Sequence, residues 1–447
     1  MSAFDDNTTA ILAPEDAALM QESGLVTPSS SEGTRRIHKR RLNRSSDEEE
    51  QHLPLTPVST TSTSSSFVSI PDHLISFATL LHLGYNSQTA THIWDAWNNW
   101  PSWGPMRESD DIEYGVPFID FAKGHIGSAL DTCEDDDAQW FHCMELYGIS
   151  NELQEAIMDP KFRQIRLTES CKFWVQDTFK LRYRGLKAVQ AASREREMAN
   201  RREASRPGQT RSTDSGRRSI SDYLRMAPWL SHETAFSPAA TSAAENAPGY
   251  TTLFKGIDGA RVETLFQDSK RVLVGCLGSR QPSDFVPGGS GGIYFAIDRE
   301  VAEYYASYTK RRDGCSAVVI VQVTIPNPVI ESLPTTRLQR IYWRSEQWKA
   351  FIFHCRREEA PLPSKLRKYH LADLLIGSIC RRPTHIFANM KSPDEVTERM
   401  VFKLRDGRNA VQYVFKGQSG YALLQGSGSF TIFPLTTREF EAWYNAV

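Results

Sequence analysis

The chain has 447 residues, 40% of them hydrophobic, and a formal net charge of −2. That length allows two or three folded units at roughly 150 residues each, and the near-zero charge excludes a wholesale polyanion binder, so that only local charge is informative. Seven scattered cysteines with no CxxC pair exclude a zinc or disulfide framework and fit a reducing compartment.

Residues 1–20 carry Asp5, Asp6, Glu15 and Asp16 but no basic residue, unlike a signal or transit peptide. No apolar run approaches membrane-spanning length. These features predict a soluble intracellular protein, nuclear or cytoplasmic, without membrane contact. Residues 1–66 read as a disordered tail, rich in Ser and Thr from Ser59 to Ser66. Within it, Arg35-Arg36-Ile37-His38-Lys39-Arg40-Arg41 has the composition of a nuclear-import signal or of a solvated, self-neutralising tail followed by Asp47-Glu48-Glu49-Glu50.

Residues 67–190 read as an all-α helical domain. Leu74 to Leu83 is an apolar stretch stopped by Gly84, and Asn86 or Ser87 can cap the next helix. Ala90, Ile93, Trp94 and Trp97 follow at helical spacing, as core positions. The acidic run Glu134 to Asp137 reads as a loop or a capped helix start, and Phe173, Trp174, Phe179 and Tyr183 mark a last packed helix. Such a domain would offer a surface to a protein acceptor or partner.

Residues 191–248 read as a basic disordered linker. It opens on a charged helical stretch and carries Arg201, Arg202, Arg206, Arg211, Arg217 and Arg218, a set suited to weak nucleic-acid contact or to simple solvation. Ile220, Tyr223, Leu224 and Trp229 form an apolar island within it.

Residues 249–447 alternate strand-like and helix-like runs, predicting an α+β domain. Strands are expected at 251–256, 271–277, 292–297, 317–325, 349–355, 374–379, 412–416 and 430–434. Helices are expected at 260–266, 298–310, 393–401 and 437–444. Ala317 to Val323 is almost wholly apolar and rich in β-branched residues, so it should be buried on both faces.

Several common sites are excluded. Gly288-Gly289-Ser290-Gly291-Gly292 lacks the Lys-Ser/Thr of a P-loop and precedes a strand rather than joining strand to helix. There is no GxSxG elbow, no HExxH and no His/Cys cluster at metal spacing. What stands out is Gly291-Gly292-Ile293-Tyr294-Phe295-Ala296 followed by a tyrosine-rich helical stretch. Glycines permit close backbone approach, and a tyrosine offers a flat face and a hydroxyl, as a mononucleotide cleft requires.

Three stretches carry a resemblance. Leu253-Phe254-Lys255-Gly256 is similar to the opening strand of ADP-ribosyltransferase folds, where His or Arg stands beside a glycine. Asp284-Phe285, then Gly292-Ile293-Tyr294-Phe295-Ala296 with Ala302, Tyr305 and Ala306, resembles the Gly-(Ile/Leu/Phe)-Tyr-Phe element and helix of poly(ADP-ribose) polymerases. Asp373 to Ile379, Asn409 to Phe415 and Gly420 resemble the last part of a poorly characterised family of ADP-ribosyltransferase-like domains. Most of the chain is also similar to fungal proteins, which adds no function.

The chain is thus expected to be multidomain: the α-helical N-terminal domain read from its residue pattern, and an α+β C-terminal domain that, by the resemblance, is of the ADP-ribosyltransferase split-sheet type. The resemblance implies an NAD cleft without metal, lined by Lys255, Gly256, Tyr294 and Tyr305. It also implies mono-ADP-ribosyl transfer to a protein or nucleic-acid acceptor. The chain departs from the pattern twice. Lys255 replaces His or Arg, and Gln412 stands where the family places the glutamate that offsets positive charge on the nicotinamide ribose. An amide cannot offset that charge or act as a base, so Glu398 or Glu395, or more distantly Glu346, would have to replace it. The alternative is a catalytically inactive binding or interaction module, or a nuclear regulatory scaffold.

Overall fold

The computed structural model describes residues 6–39, 42, 67–101, 103–107, 115–127, 129–204, 248–262, 265, 272–279, 283–287, 291–313, 317–357 and 361–446. The Ser/Thr tract 59–66, the acidic run 47–50, the linker residues 205–247 with their arginines and apolar island, and Gly288 to Ser290 lie outside them.

The expected disordered tail is corrected over residues 6–39. Helix Pro14–Glu22 and strand Thr34–His38 (β1) are folded, and β1 pairs antiparallel with Phe67–Pro71 (β2). Ile11, Met20, Val26 and Ile37 are buried. Part of the presumed import signal is therefore a strand, with Arg35 paired to Asp72 and Arg36 set over the Phe67 ring. The polar composition concealed the apolar contacts because β1 finds its partner far downstream, Thr34 opposite Pro71 to His38 opposite Phe67, across the Ser/Thr tract.

The following segment is mainly helical. Phe77–Leu83 ends at Gly84, whose φ of 118° lies in the region that glycine tolerates and other residues avoid. The Asn86 side chain caps Ser87–Asn98 by accepting from the Thr89 N–H, and Asp136 caps Asp137–Leu146. Strands Met106–Arg107 (β3) and Gly115–Val116 (β4) form a short parallel pair. The long helix Cys171–Ala204 then runs 34 residues, about 50 Å at the usual helical rise. It corrects the start of the expected linker: residues 191–204 continue the helix and hold the N-terminal segment, with Arg196 paired to Asp16 and Arg201 to Glu15. Among the described residues no helix is long and apolar enough to cross a membrane.

The second half is α+β. Its strands are Tyr250–Asp258 (β5), Gly278–Ser279 (β6), Gly292–Ala296 (β7), Val318–Pro326 (β8), Leu338–Ile341 (β9), Leu374–Ser378 (β10), Val411–Lys416 (β11) and Ser429–Pro434 (β12). They form one mixed sheet in the order β12-β8-β5-β7-β11-β10-β9, with β6 beside β7; among the described residues its neighbouring strands pair antiparallel except β9 and β10, which pair parallel. β5 pairs with β8 along its whole length, Tyr250 opposite Pro326 to Asp258 opposite Val318. It meets β7 at a single pair, Phe254 opposite Ala296. The sheet thus consists of two strand groups, β12-β8-β5 and β7-β11-β10-β9, hinged at one residue pair. β8 is buried along nearly all its length, as its apolar run predicts.

Three expected elements are corrected. Residues 349–355 lie in helix Glu346–Arg356 rather than a strand: Trp348, Phe351, Ile352 and Cys355 are buried at helical spacing and Ser345 caps the start. Of the strand expected at 271–277, the first residue lies outside the described residues and the rest holds a 3-10 turn, Val274–Leu277, before the two-residue β6. Residues 393–401 form two separate 3-10 turns, Pro393–Glu395 and Glu398–Met400, parted where Val396 turns extended and buries its side chain.

The two halves share a core. Trp140, Phe162, Trp174 and Phe179 of the helical half belong to the same buried apolar cluster as Val301, Tyr308, Phe402 and Trp443 of the sheet half. The Phe162 and Trp443 rings stack 5.4 Å apart across the junction.

Candidate ligand cavity at the sheet junction

Where β5 and β7 part, the sheet leaves a cavity of about 320 Å³, at the small end of the range of roughly 300–1,000 Å³ usual for small-molecule sites. β5 supplies Lys255 and Gly256, β7 supplies Tyr294, and helix Arg299–Arg312 supplies Tyr305 and Arg312. The long helix closes the space with Trp174, Asp177 and Arg184. Of the residues singled out in the sequence, Lys255, Gly256, Tyr294, Tyr305 and Gln412 all line this one cavity.

Glu398 does not. It sits on an exposed turn, where Lys403 Nζ donates to it at 2.9 Å and lowers its pKa. Glu395 closes its own turn by accepting from the Lys391 and Ser392 N–H groups. Glu346 is exposed at a helix start, paired with Lys349 at 3.0 Å. None of the three lines the cavity.

Gly256 serves packing as well as access. A Cβ there would stand 2.2 Å from the Ala302 carbonyl oxygen and 2.8 Å from the Ala306 nitrogen. The missing side chain lets helix Arg299–Arg312 lie directly on β5 and so places Tyr305 over the cavity.

At one end of the cavity, Gln412 donates from Nε2 to Asp284 Oδ2 at 2.8 Å. The same oxygen accepts from the Cys380 N–H at 2.8 Å. Asp284 Oδ1 accepts from Arg356 Nε at 3.1 Å and Nη2 at 2.6 Å. Asp284, Arg356 and Gln412 are 4%, 6% and 5% exposed, so this is a buried, hydrogen-bonded ion pair. Burial works against the Arg356 charge, but the Asp284 carboxylate outweighs it and holds the guanidinium above its usual pKa.

The tyrosines frame the same region. The Tyr294 hydroxyl is 2.7 Å from Ser283 Oγ and accepts from the Phe285 N–H at 3.1 Å. Tyr305 stacks 6.5 Å from Phe402. Burial raises both phenols well above their ordinary values.

At the other end, Lys255 Nζ donates to Ser279 Oγ and to the Tyr294 carbonyl oxygen, each at 3.2 Å. Burial, followed by the repulsion of Arg261, lowers the lysine to about 7. Arg261 donates to the carbonyls of Cys276 and Gly278 at 2.9 and 2.7 Å.

Sequence reading missed Asp284 as a site residue, although it stands in the Asp284-Phe285 doublet. It also missed Arg356, which lies at the end of a helix read as a strand, and Arg312 with its partner Asp177. Their signal is tertiary: Arg312 pairs with Asp177 at 3.0 Å and packs on Trp174 and Tyr308, each ring 4.6 Å away.

The wall thus combines aromatic faces, paired carboxylates and a cation, an arrangement able to hold a flat polar ligand. Among the described residues no group of three or more His, Cys, Asp or Glu could hold a metal. No family model, curated protein or solved structure matches this chain.

Proposed function

We propose that the second half is an ADP-ribosyltransferase-like module whose cavity binds an NAD-class nucleotide or its ADP-ribose portion without efficient transfer. The observation that carries this reading is the convergence of Lys255, Gly256, Tyr294, Tyr305 and Gln412, drawn from three strands and a helix, on the opening between two strand groups. Tyr294 and Tyr305 supply aromatic surface for a heterocycle. The polar groups of the wall would orient a ribose.

Binding is favoured over transfer because of the Gln412 end. Breaking the glycosidic bond builds positive charge on the ribose, which a carboxylate must offset. Gln412 is an amide, and both oxygens of Asp284 are already committed to Arg356, Cys380 and Gln412 itself. Mono-ADP-ribosyl transfer remains the second reading, favoured by one observation: Asp284 and Glu169 line the same cavity as Tyr294. The helical half, read as the partner-selecting part, here roofs the cavity, so ligand entry and partner contact would share the long helix.

The test is calorimetric titration of the full chain with NAD, ADP-ribose and nicotinamide, beside an assay for nicotinamide release with and without cell lysate. Saturable binding of NAD or ADP-ribose, weakened at least about tenfold by Tyr294→Ala, is expected, with no release. Release that Tyr294→Ala abolishes would establish the second reading. A folded protein that binds none of the three would overturn both.

A further inference from the structure

We propose that the Lys255 end of the cavity is an anion subsite, in which a phosphate-class group of the ligand seats against the Lys255 ammonium and the Ser279 hydroxyl. The inference rests on the reading of the cavity as a nucleotide site and specifies which part of the nucleotide lies where.

Charge pairing around the wall carries the argument. Arg312 is matched by Asp177 at 3.0 Å, Arg356 by Asp284 at 2.6 Å and Arg184 by Asp258 at 3.4 Å. Lys255 differs. Its two acceptors, Ser279 Oγ and Tyr294 O, are neutral. Among the described residues no carboxylate pairs with it. An ammonium has three N–H donors, and two have protein acceptors here. The third has none among the described residues, and Lys255 is one of the residues lining the cavity.

The surroundings add positive potential. Arg261 lies near enough to depress the lysine electrostatically, whereas Cys276 acts weakly in the other direction. The remaining carboxylates of the wall are Glu169, Asp177, Asp258 and Asp284. Asp258 is the one on the same strand; it faces Arg184 and accepts from the Arg261 N–H at 3.2 Å. A half-buried cation without a counter-ion carries a desolvation cost unless it is neutralised or paired. A ligand anion would supply the pairing. The tyrosines nearby favour a nucleotide as the source of that anion over a bare oxyanion.

A proton follows from this geometry. Without ligand, the lysine lowered to about 7 is largely a neutral amine above neutral pH. An anion at hydrogen-bond distance raises that value again. Binding therefore takes up a proton above pH 7, and anion affinity falls there by up to about tenfold per pH unit.

The experiment is titration calorimetry on the full chain with ADP-ribose, inorganic pyrophosphate and adenosine. It is run at pH 6.5 and 8.5 in pairs of buffers with different ionisation heats. ADP-ribose and pyrophosphate should bind with proton uptake at pH 8.5, and at least about tenfold more weakly than at pH 6.5. Lys255→Met should abolish the pH dependence and weaken both anions while leaving adenosine unchanged. The variant should melt no lower than wild type, because it removes a half-buried ammonium that has no carboxylate partner among the described residues; should it fail to fold, the wild-type proton uptake and pH slope decide. ADP-ribose binding that is pH-independent, without proton uptake and equal in Lys255→Met overturns the subsite but leaves the nucleotide reading standing. Binding of adenosine but neither anion also overturns the subsite. Failure of all three ligands overturns both readings.

Discussion

The two ends of the cavity handle charge in opposite ways. Around Asp284 a carboxylate receives four hydrogen bonds, from Arg356, Cys380 and Gln412, and each charge has a partner. Around Lys255 a cation meets only a hydroxyl and a carbonyl oxygen. A saturated network specifies structure and has little capacity left for a ligand, whereas an unmatched charge gains from one. The comparison assigns architecture to the Asp284 end and reception to the Lys255 end.

The largest expected effect tests the architectural end. Asp284→Ala leaves Arg356 buried without its counter-ion and should cost about 3–5 kcal/mol in urea unfolding. The double change Asp284→Leu with Arg356→Met should recover much of that loss. If Asp284→Ala unfolds like wild type, the pair is not a clamp.

A smaller effect follows from restoring the carboxylate that transfer chemistry requires. Gln412→Glu removes an amide donor and places a second carboxyl where the first now accepts at 2.8 Å. Burial and the Asp284 charge raise the new group's folded pKa above its unfolded value near ~4.3. Its penalty is therefore least at low pH and grows as pH rises through the raised value, reaching about 1–3 kcal/mol at pH 8. Unfolding curves at pH 5 and 8 check the sign. A gain of nicotinamide release in this variant would instead reassign the Asp284 end to chemistry.

At the receiving end, Gly256→Val should cost about 1–3 kcal/mol, because the added atoms meet helix backbone that cannot move far. A melting curve measures it, and wild-type stability would show that the helix can lift from β5. The smallest effect is expected of Glu398→Gln. This exposed residue lies away from both ends, and the variant should match wild type in melting temperature and in ADP-ribose titration.

Much of the scaffold was legible in the sequence. Gly84 stops a helix, Asn86 caps the next, and the apolar run of β8 marks a buried strand, because caps and periodicity act within a few residues. The short runs around Lys255, Tyr294 and Gln412 were found for the same reason: each lies on a single strand. Residues 6–39 and helix Glu346–Arg356 were misread because their apolar faces are explained by partners elsewhere in the chain.

By itself, then, the sequence determined the α+β character of the second half, several of its strands, and five of the residues that line the cavity. Tertiary structure alone decided the charge state of that cavity. Asp284 and Arg356 are 72 residues apart, and Gln412 and Asp284 128 apart. Neither a paired carboxylate nor an unmatched lysine can be recognised until the fold brings those distant groups together, because pairing and desolvation depend on distances in space rather than along the chain.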